Sequence, residues 1–215
     1  MKNIRKLLNP FTYQNVFKPK TKWFLIITLL NITVNITIYL VTEQFFNIDK
    51  NENIEALFSL NLISQLLLIG LLYPIVEEFL FRYPILLGRN KIAIIFFLTI
   101  PFTVLIVSKF SSLGIFTCVI IYLIFFLNSH KVNKYISKRL VKYRQYAFWV
   151  LTVLFSICHI YNFSNDTIEV IVIFTSLTSF SSILFGLIRI HIGFKYAIFS
   201  HMIYNCTIIV VSNLY

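Results

Sequence analysis

The chain has 215 residues, of which 58% are apolar and only 13% charged, with 23 Phe and a formal net charge of +11. A water-soluble domain carries about 45–50% apolar and about 25% charged residues, so the composition excludes an ordinary soluble enzyme. It points instead to an all-α, polytopic transmembrane helix bundle, and the position of the cations along the chain argues against nucleic acid as their partner.

Seven apolar segments read as spans, at 22–43, 58–88, 91–108, 111–128, 146–161, 167–188 and 194–213. They make one membrane domain over 22–215, preceded by a basic cytosolic arm over 1–21. In the arm, Ile4, Leu7, Leu8 and Phe11 are spaced as on a helix among cations. It reads either as a short interfacial helix cut by Pro10 or as a flexible basic arm. The first apolar run starts near Trp23, behind the arm, and is too long for the core of a cleavable signal. With the N-terminus in the cytosol, that side collects Lys2, Arg5, Lys6, Lys18, Lys20, Lys22, Arg89, Lys91, Lys131, Lys134, Lys138, Arg139, Lys142, Arg144, Arg189 and Lys195. The opposite side receives only Lys50 and Lys109, beside Asp49, Glu52, Glu55 and Asp166. This is the positive-inside pattern. The charge therefore reports a multi-pass orientation in the inner, cytoplasmic membrane and contact with its anionic lipid bilayer, with no nucleic-acid partner.

The first span carries Asn31, Thr33, Asn35 and Thr37, which suit hydrogen bonds between helices. The third and fourth are plain apolar segments joined by a polar turn. Residues 130–145, HKVNKYISKRLVKYRQ, interleave Val132, Ile136 and Leu140 with cations and read as a surface-lying cytosolic helix or loop. Cys118, Cys158 and Cys206 lie far apart in apolar segments, where they read as small core residues rather than a metal or redox pair.

A charge at bilayer depth costs at least ~2.5–3.5 kcal/mol, so ionisable groups there usually face one another or a wet cavity. Only two of the eight acidic residues, Glu77 and Glu78 in YPIVEEFLFRYP, fall well inside a span. Of the four histidines, His130 and His191 read as parts of basic cytosolic connections, while His159 and His201 lie in spans. Glu78 and Arg82 stand at i and i+4 and share a helix face, so they are expected to pair. Glu77 points about 100° away from its neighbour, free to face another partner as a general base or acid. Phe155 and His159, and His201 and Asn205, repeat the i, i+4 spacing, which lets Asn205 hold the His201 ring. A positioned ring suits proton transfer or metal ligation. Counting ~1.5 Å per residue from the cytosolic boundary puts Glu77 ~16 Å deep, His159 ~20 Å, His201 ~9 Å and Asn205 ~15 Å, compatible with one site. Pro74 removes a backbone donor three residues before Glu77 and is expected to kink the helix.

Three motifs thus stand in order: Glu-Glu-x-x-x-Arg (Glu77, Glu78, Arg82), Phe-x-x-x-His (Phe155, His159) and His-x-x-x-Asn (His201, Asn205). Together they resemble the CPBP (Abi) family of intramembrane proteases, which includes the type II CAAX prenyl endopeptidases, over about residues 60–210. The stretch FGLIRIHIGFKYAIFSHMIYN also resembles that family's pattern through its third motif. The resemblance implies that Glu77 activates the attacking water with support from Glu78 and Arg82. His159 and His201 would complete the cluster, and Asn205 would stabilise the oxyanion or orient His201. It implies a membrane-associated peptide or protein substrate. Zinc is compatible with two His and a Glu, but the chain lacks His-Glu-x-x-His, so the cofactor stays open. Tyr83 and Pro84 follow Arg82 where the family often shows Gly, and the gap from Glu78 to His159 holds an additional hairpin over 91–128. Prenylated substrates are therefore not assumed.

Two other classes compete. One is a non-proteolytic relative serving as a scaffold or regulator of envelope proteins. The other is a proton-coupled transporter, disfavoured because the sequence shows no internal repeat.

Overall fold

The computed structural model describes residues 10–13, 17–46, 58–86, 129–163 and 166–214. All regular elements among them are helical: α1 (Lys20–Phe45), α2 (Leu62–Phe81), α3 (Ser129–Ile160), α4 (Ile168–His191) and α5 (Phe194–Ser212). Short 3-10 turns lie at Pro10–Tyr13, Tyr83–Leu86 and Tyr161–Phe163. Four helices, α1, α2, α4 and α5, are long and apolar enough to cross a membrane. They coincide with the segments expected at 22–43, 58–88, 167–188 and 194–213. The expected spans at 91–108 and 111–128 lie outside the described residues.

Helix α1 shows the solvent for which the bundle is built. Its buried residues include Thr28, Asn31, Asn35 and Thr42, whereas Leu25, Leu29, Leu30 and Val41 are exposed. A helix in water turns its apolar stripe inward, and α1 does the reverse. In hydrocarbon the outward leucines cost nothing, and the inward polar groups bind neighbouring helices by hydrogen bonds. Asn35 Nδ2 donates to Asn31 Oδ1 at 3.0 Å and to Ser181 Oγ of α4 at 3.1 Å. Ser181 Oγ donates to Asn31 Oδ1 at 2.8 Å, and the Tyr204 hydroxyl of α5 donates to Asn35 Oδ1 at 3.1 Å. A second tie joins Thr28 Oγ1 and Ser200 Oγ at 2.8 Å. Together these bonds clamp α1, α4 and α5.

Residues 130–145 are helical, one of the two alternatives expected for them, but the boundary expected at 146 is corrected. That basic segment and the apolar segment 146–161 belong to one helix, α3, of 32 residues. Neither Pro nor Gly occurs between Ser129 and Ile160, so nothing in the backbone breaks it. Helix α3 packs closely on α4, where a Cβ on Gly186 would come within 2.5 Å of the Phe148 ring. Ser179 Oγ of α4 also donates to Ser156 Oγ of α3 at 2.8 Å.

Between α4 and α5 the chain reverses at Gly193, whose φ of 143° only glycine adopts without strain. Its N–H and that of Ile192 both reach Ile188 O at 2.9 Å, closing α4. His191, expected in a basic cytosolic connection, ends α4 in a buried position and stacks on Phe17 at 4.4 Å and 9°. His130 lies on α3. Of the N-terminal arm, the described turn at Pro10–Tyr13 docks on the domain. Phe11 packs with Phe81, Ile85, Phe148, Leu151 and Phe155, and Arg144 Cζ lies 4.2 Å over its ring.

Candidate active site

Helix α2 is not uniform. Leu62–Gln65 and Tyr73–Phe81 are α-helical, while Leu66–Leu72 between them winds as a π-helix. A widened turn thus stands just before Pro74, where the sequence suggests a kink. π segments inside α-helices are frequent at functional sites. Beyond the wide turn, Glu77 and Glu78 project to different partners.

Glu78 is fully buried. Its Oε1 accepts from His201 Nδ1 at 3.0 Å and lies 3.5 Å from Arg82 Nε, so the expected i, i+4 pair forms. The Arg82 guanidinium, 1% exposed, lies with Cζ 3.8 Å over the Phe155 ring, and Arg189 Nε of α4 donates to Arg82 O at 3.3 Å. Face-on stacking against an aromatic ring offers a buried cation attraction that water no longer gives it.

Glu77 sits between the two histidines. Oε1 is 3.9 Å from His159 Nε2 and Oε2 is 3.4 Å from His201 Nε2. The rings are held from behind. His159 Nδ1 lies 2.7 Å from Phe155 O; a carbonyl only accepts, so Nδ1 carries the proton. His201 Nδ1 donates to the Glu78 carboxylate in the same sense, while Phe185 stacks on the ring at 4.5 Å and 21°. With both Nδ1 atoms engaged as donors, the Nε2 atoms of α3 and α5 turn toward the Glu77 carboxylate of α2. A hydrogen-bond acceptor held against Nδ1 fixes both tautomer and ring orientation. Glu77 and His159 are about one-quarter exposed, whereas His201 and Glu78 are closed off. The cluster is therefore reachable from the Glu77–His159 side.

Asn205 departs from expectation. Its Nδ2 donates to Ile69 O in the π segment at 2.9 Å rather than to the His201 ring, which Glu78 orients instead. The expected convergence thus holds for Glu77, Glu78, Arg82, His159 and His201, while Asn205 faces backbone. Sequence spacing did not reveal Phe185 or Arg189, which reach the cluster from α4. The FG pair at 185–186 in the close-packed middle of α4 was the available signal.

Zinc bonds of about 2.0–2.1 Å put neighbouring ligand atoms about 3.3 Å apart. The Glu77–His201 edge, 3.4 Å, meets that spacing and the Glu77–His159 edge, 3.9 Å, does not. Among the described residues no group of three His, Cys, Asp or Glu is arranged to hold a metal ion. As placed, the set does not fit zinc.

No family model, curated protein or solved structure matches this chain.

Proposed function

We propose that the chain is an intramembrane endopeptidase of the CPBP (Abi) type, a seven-span protein of the cytoplasmic membrane with its N-terminus in the cytosol. It hydrolyses a peptide bond of a membrane-associated peptide or protein. The observation that carries this reading is the position of the Glu77 carboxylate, flanked at 3.4 and 3.9 Å by two imidazole Nε2 atoms with their Nδ1 atoms tied down. The three motifs of the sequence support it, since Glu77, Glu78, Arg82, Phe155, His159 and His201 come from three helices yet meet.

The chemistry follows from the lone pairs. A water between Glu77 and the Nε2 atoms donates its hydrogens to them, leaving an oxygen lone pair directed at an incoming carbonyl carbon. As the C–O bond forms, its proton passes to Glu77 or to one Nε2. An Nε2 that takes up a proton becomes a donor, and so stabilises negative charge on the tetrahedral oxygen. Collapse breaks the C–N bond, and the proton goes to the leaving amine. Glu78, braced by Arg82, holds His201 throughout. The site lies about 10 Å along α5 from its start at Phe194, so with that end in the cytosol, as proposed, cleavage falls in the cytosolic half of the membrane.

The test compares the membrane peptidome of cells carrying wild type with that of cells carrying Glu77→Gln, which keeps shape and removes the base. A product present only with wild type is expected, together with a loss of about 10²–10⁴ in its formation. His159→Ala and His201→Ala are expected to abolish the same product while the protein still accumulates. An unchanged peptidome across all three variants overturns the reading and leaves a scaffold or regulator of envelope proteins.

A further inference from the structure

The π turn leaves a specific debt in the backbone of α2. In an α-helix Ile69 O would accept from the Tyr73 N–H, but that donor goes to Leu68 O, five residues back. In the π register the donor facing Ile69 O would be residue 74, which is Pro74 and has no N–H. Both backbone donors open to this carbonyl are thus diverted or missing. An unsatisfied carbonyl away from water is costly, the more so in hydrocarbon. The missing bond comes from another helix: Asn205 Nδ2 of α5, at 2.9 Å. It reaches because the helices nearly touch here; a Cβ on Gly70 would stand 2.7 Å from Cys206 Sγ. One turn further out, Asn213 Nδ2 donates to Gln65 Oε1 at 3.0 Å, so α5 grips α2 just before the π segment as well.

The wide turn decides where the carboxylates face. One additional residue in a turn rotates everything beyond it by about 100°, the angle that separates Glu77 from Glu78. If the turn closes to α geometry, Glu77 leaves the two imidazoles.

We propose that Asn205 is a positioning residue that holds the π turn open by capping Ile69 O, and so aims Glu77 at His159 and His201. The catalytic consequence rests on the hydrolase reading above, whereas the positioning itself does not. It assigns Asn205 to the geometry of α2 rather than to the reacting carbonyl.

Second-site rescue tests this. Pro74→Ala restores an N–H that can serve α2 from within, so Asn205 becomes dispensable in that background. A full-length protein with Cys118, Cys158 and Cys206 changed to Ser carries Glu77→Cys and His201→Cys as reporters. In membranes, a short bifunctional thiol reagent cross-links them only while residue 77 faces α5. Asn205→Leu is expected to lower the cross-linking rate, since loss of one buried hydrogen bond shifts the equilibrium between the two windings at least about fivefold toward the α form. Pro74→Ala alone leaves the rate unchanged, and Asn205→Leu with Pro74→Ala restores it. An undiminished rate in Asn205→Leu, or a double variant as slow as the single, overturns the proposal. If Asn205→Leu fails to accumulate, recovery of both protein and cross-link in the double variant supports the proposal, and no recovery overturns it. The cross-link needs no substrate. A Glu77-independent peptidome beside a positive rescue therefore sinks the hydrolase reading alone.

Discussion

Arg82 is 1% exposed, and its guanidinium is held by one carboxylate edge, at 3.5 Å from Glu78, and one ring face, at 3.8 Å from Phe155. Removing it leaves Glu78 as a buried charge facing only His201. Breaking a buried pair from one side costs about 3–5 kcal/mol, largely because the surviving charge is stranded. Arg82→Leu is therefore expected to lower the thermal midpoint in detergent strongly, and Arg82→Leu with Glu78→Gln to recover part of the loss. Arg82→Lys keeps the charge but lacks the flat surface that lies on Phe155, so its midpoint falls between those of wild type and Arg82→Leu. A double variant no better than Arg82→Leu would show that stacking, not charge pairing, dominates here. The Glu78–Arg82 pair was legible from i, i+4 spacing, since both partners share one helix. The ring beneath Arg82 was not, because Phe155 comes from α3 and spacing within one helix says nothing of its neighbours. The same limit explains Asn205: the i−4 polar neighbour on its own helix face is His201, but its partner is a carbonyl on α2 that became free only through Pro74 and the π register.

Among the elements, the approach of α3 to α4 is set by Gly186. A Cβ there meets the Phe148 ring at 2.5 Å, and Phe148 is completely buried, so the ring has nowhere to swing. Gly186→Ala must push the helices apart, at about 1–3 kcal/mol for overpacking of a tight core. Because α3 carries His159, the same displacement widens its 3.9 Å separation from Glu77. Both a lower midpoint and a lower yield of the Glu77-dependent product are expected; a normal midpoint would mean that α3 tilts freely. The polar seam of α1 makes a contrasting case. Asn35→Leu removes contacts to Asn31, Ser181 and Tyr204, yet hydrogen bonds between membrane helices average about 0.6 kcal/mol and reach about 1.7 kcal/mol. A modest drop in midpoint with product formation retained is expected, since none of these groups touches the Glu77 cluster. Helix existence and type were legible wherever a long apolar run stood between polar boundaries, as for α1, α4 and α5. The wide turn in α2 was not, because LLLIGLL has the same hydropathy in either winding and only its hydrogen bonds differ. The continuity of α3 was misread because a change in composition at about residue 146 suggests a boundary that the backbone does not make.

For the molecule as a whole, the remaining question is which way the bundle stands, and α5 offers a direct test because both its ends are described. Its 19 residues span about 28 Å, close to the ~30 Å hydrocarbon thickness. Lys195 at its start is exposed and lies six residues after Arg189, within the basic α4–α5 reversal; Leu214, just past its end, is 75% exposed, and α5 carries no Lys or Arg beyond Lys195. Cations near span ends stay on the cytosolic side, so the proposed orientation has the start of α5 there and its end opposite. With the three native cysteines changed to Ser, Leu214→Cys is expected to react with a membrane-impermeant maleimide in intact cells, or in spheroplasts where an outer membrane intervenes. Lys195→Cys should react only after the membrane is opened. The opposite pattern would invert the bundle and move the Glu77 cluster, about 10 Å from Phe194 along α5, into the outer half of the membrane. A substrate would then have to approach from outside the cell, and any soluble product would be released there. Orientation therefore fixes where the products should be sought, and the two thiols can settle it before any substrate is known.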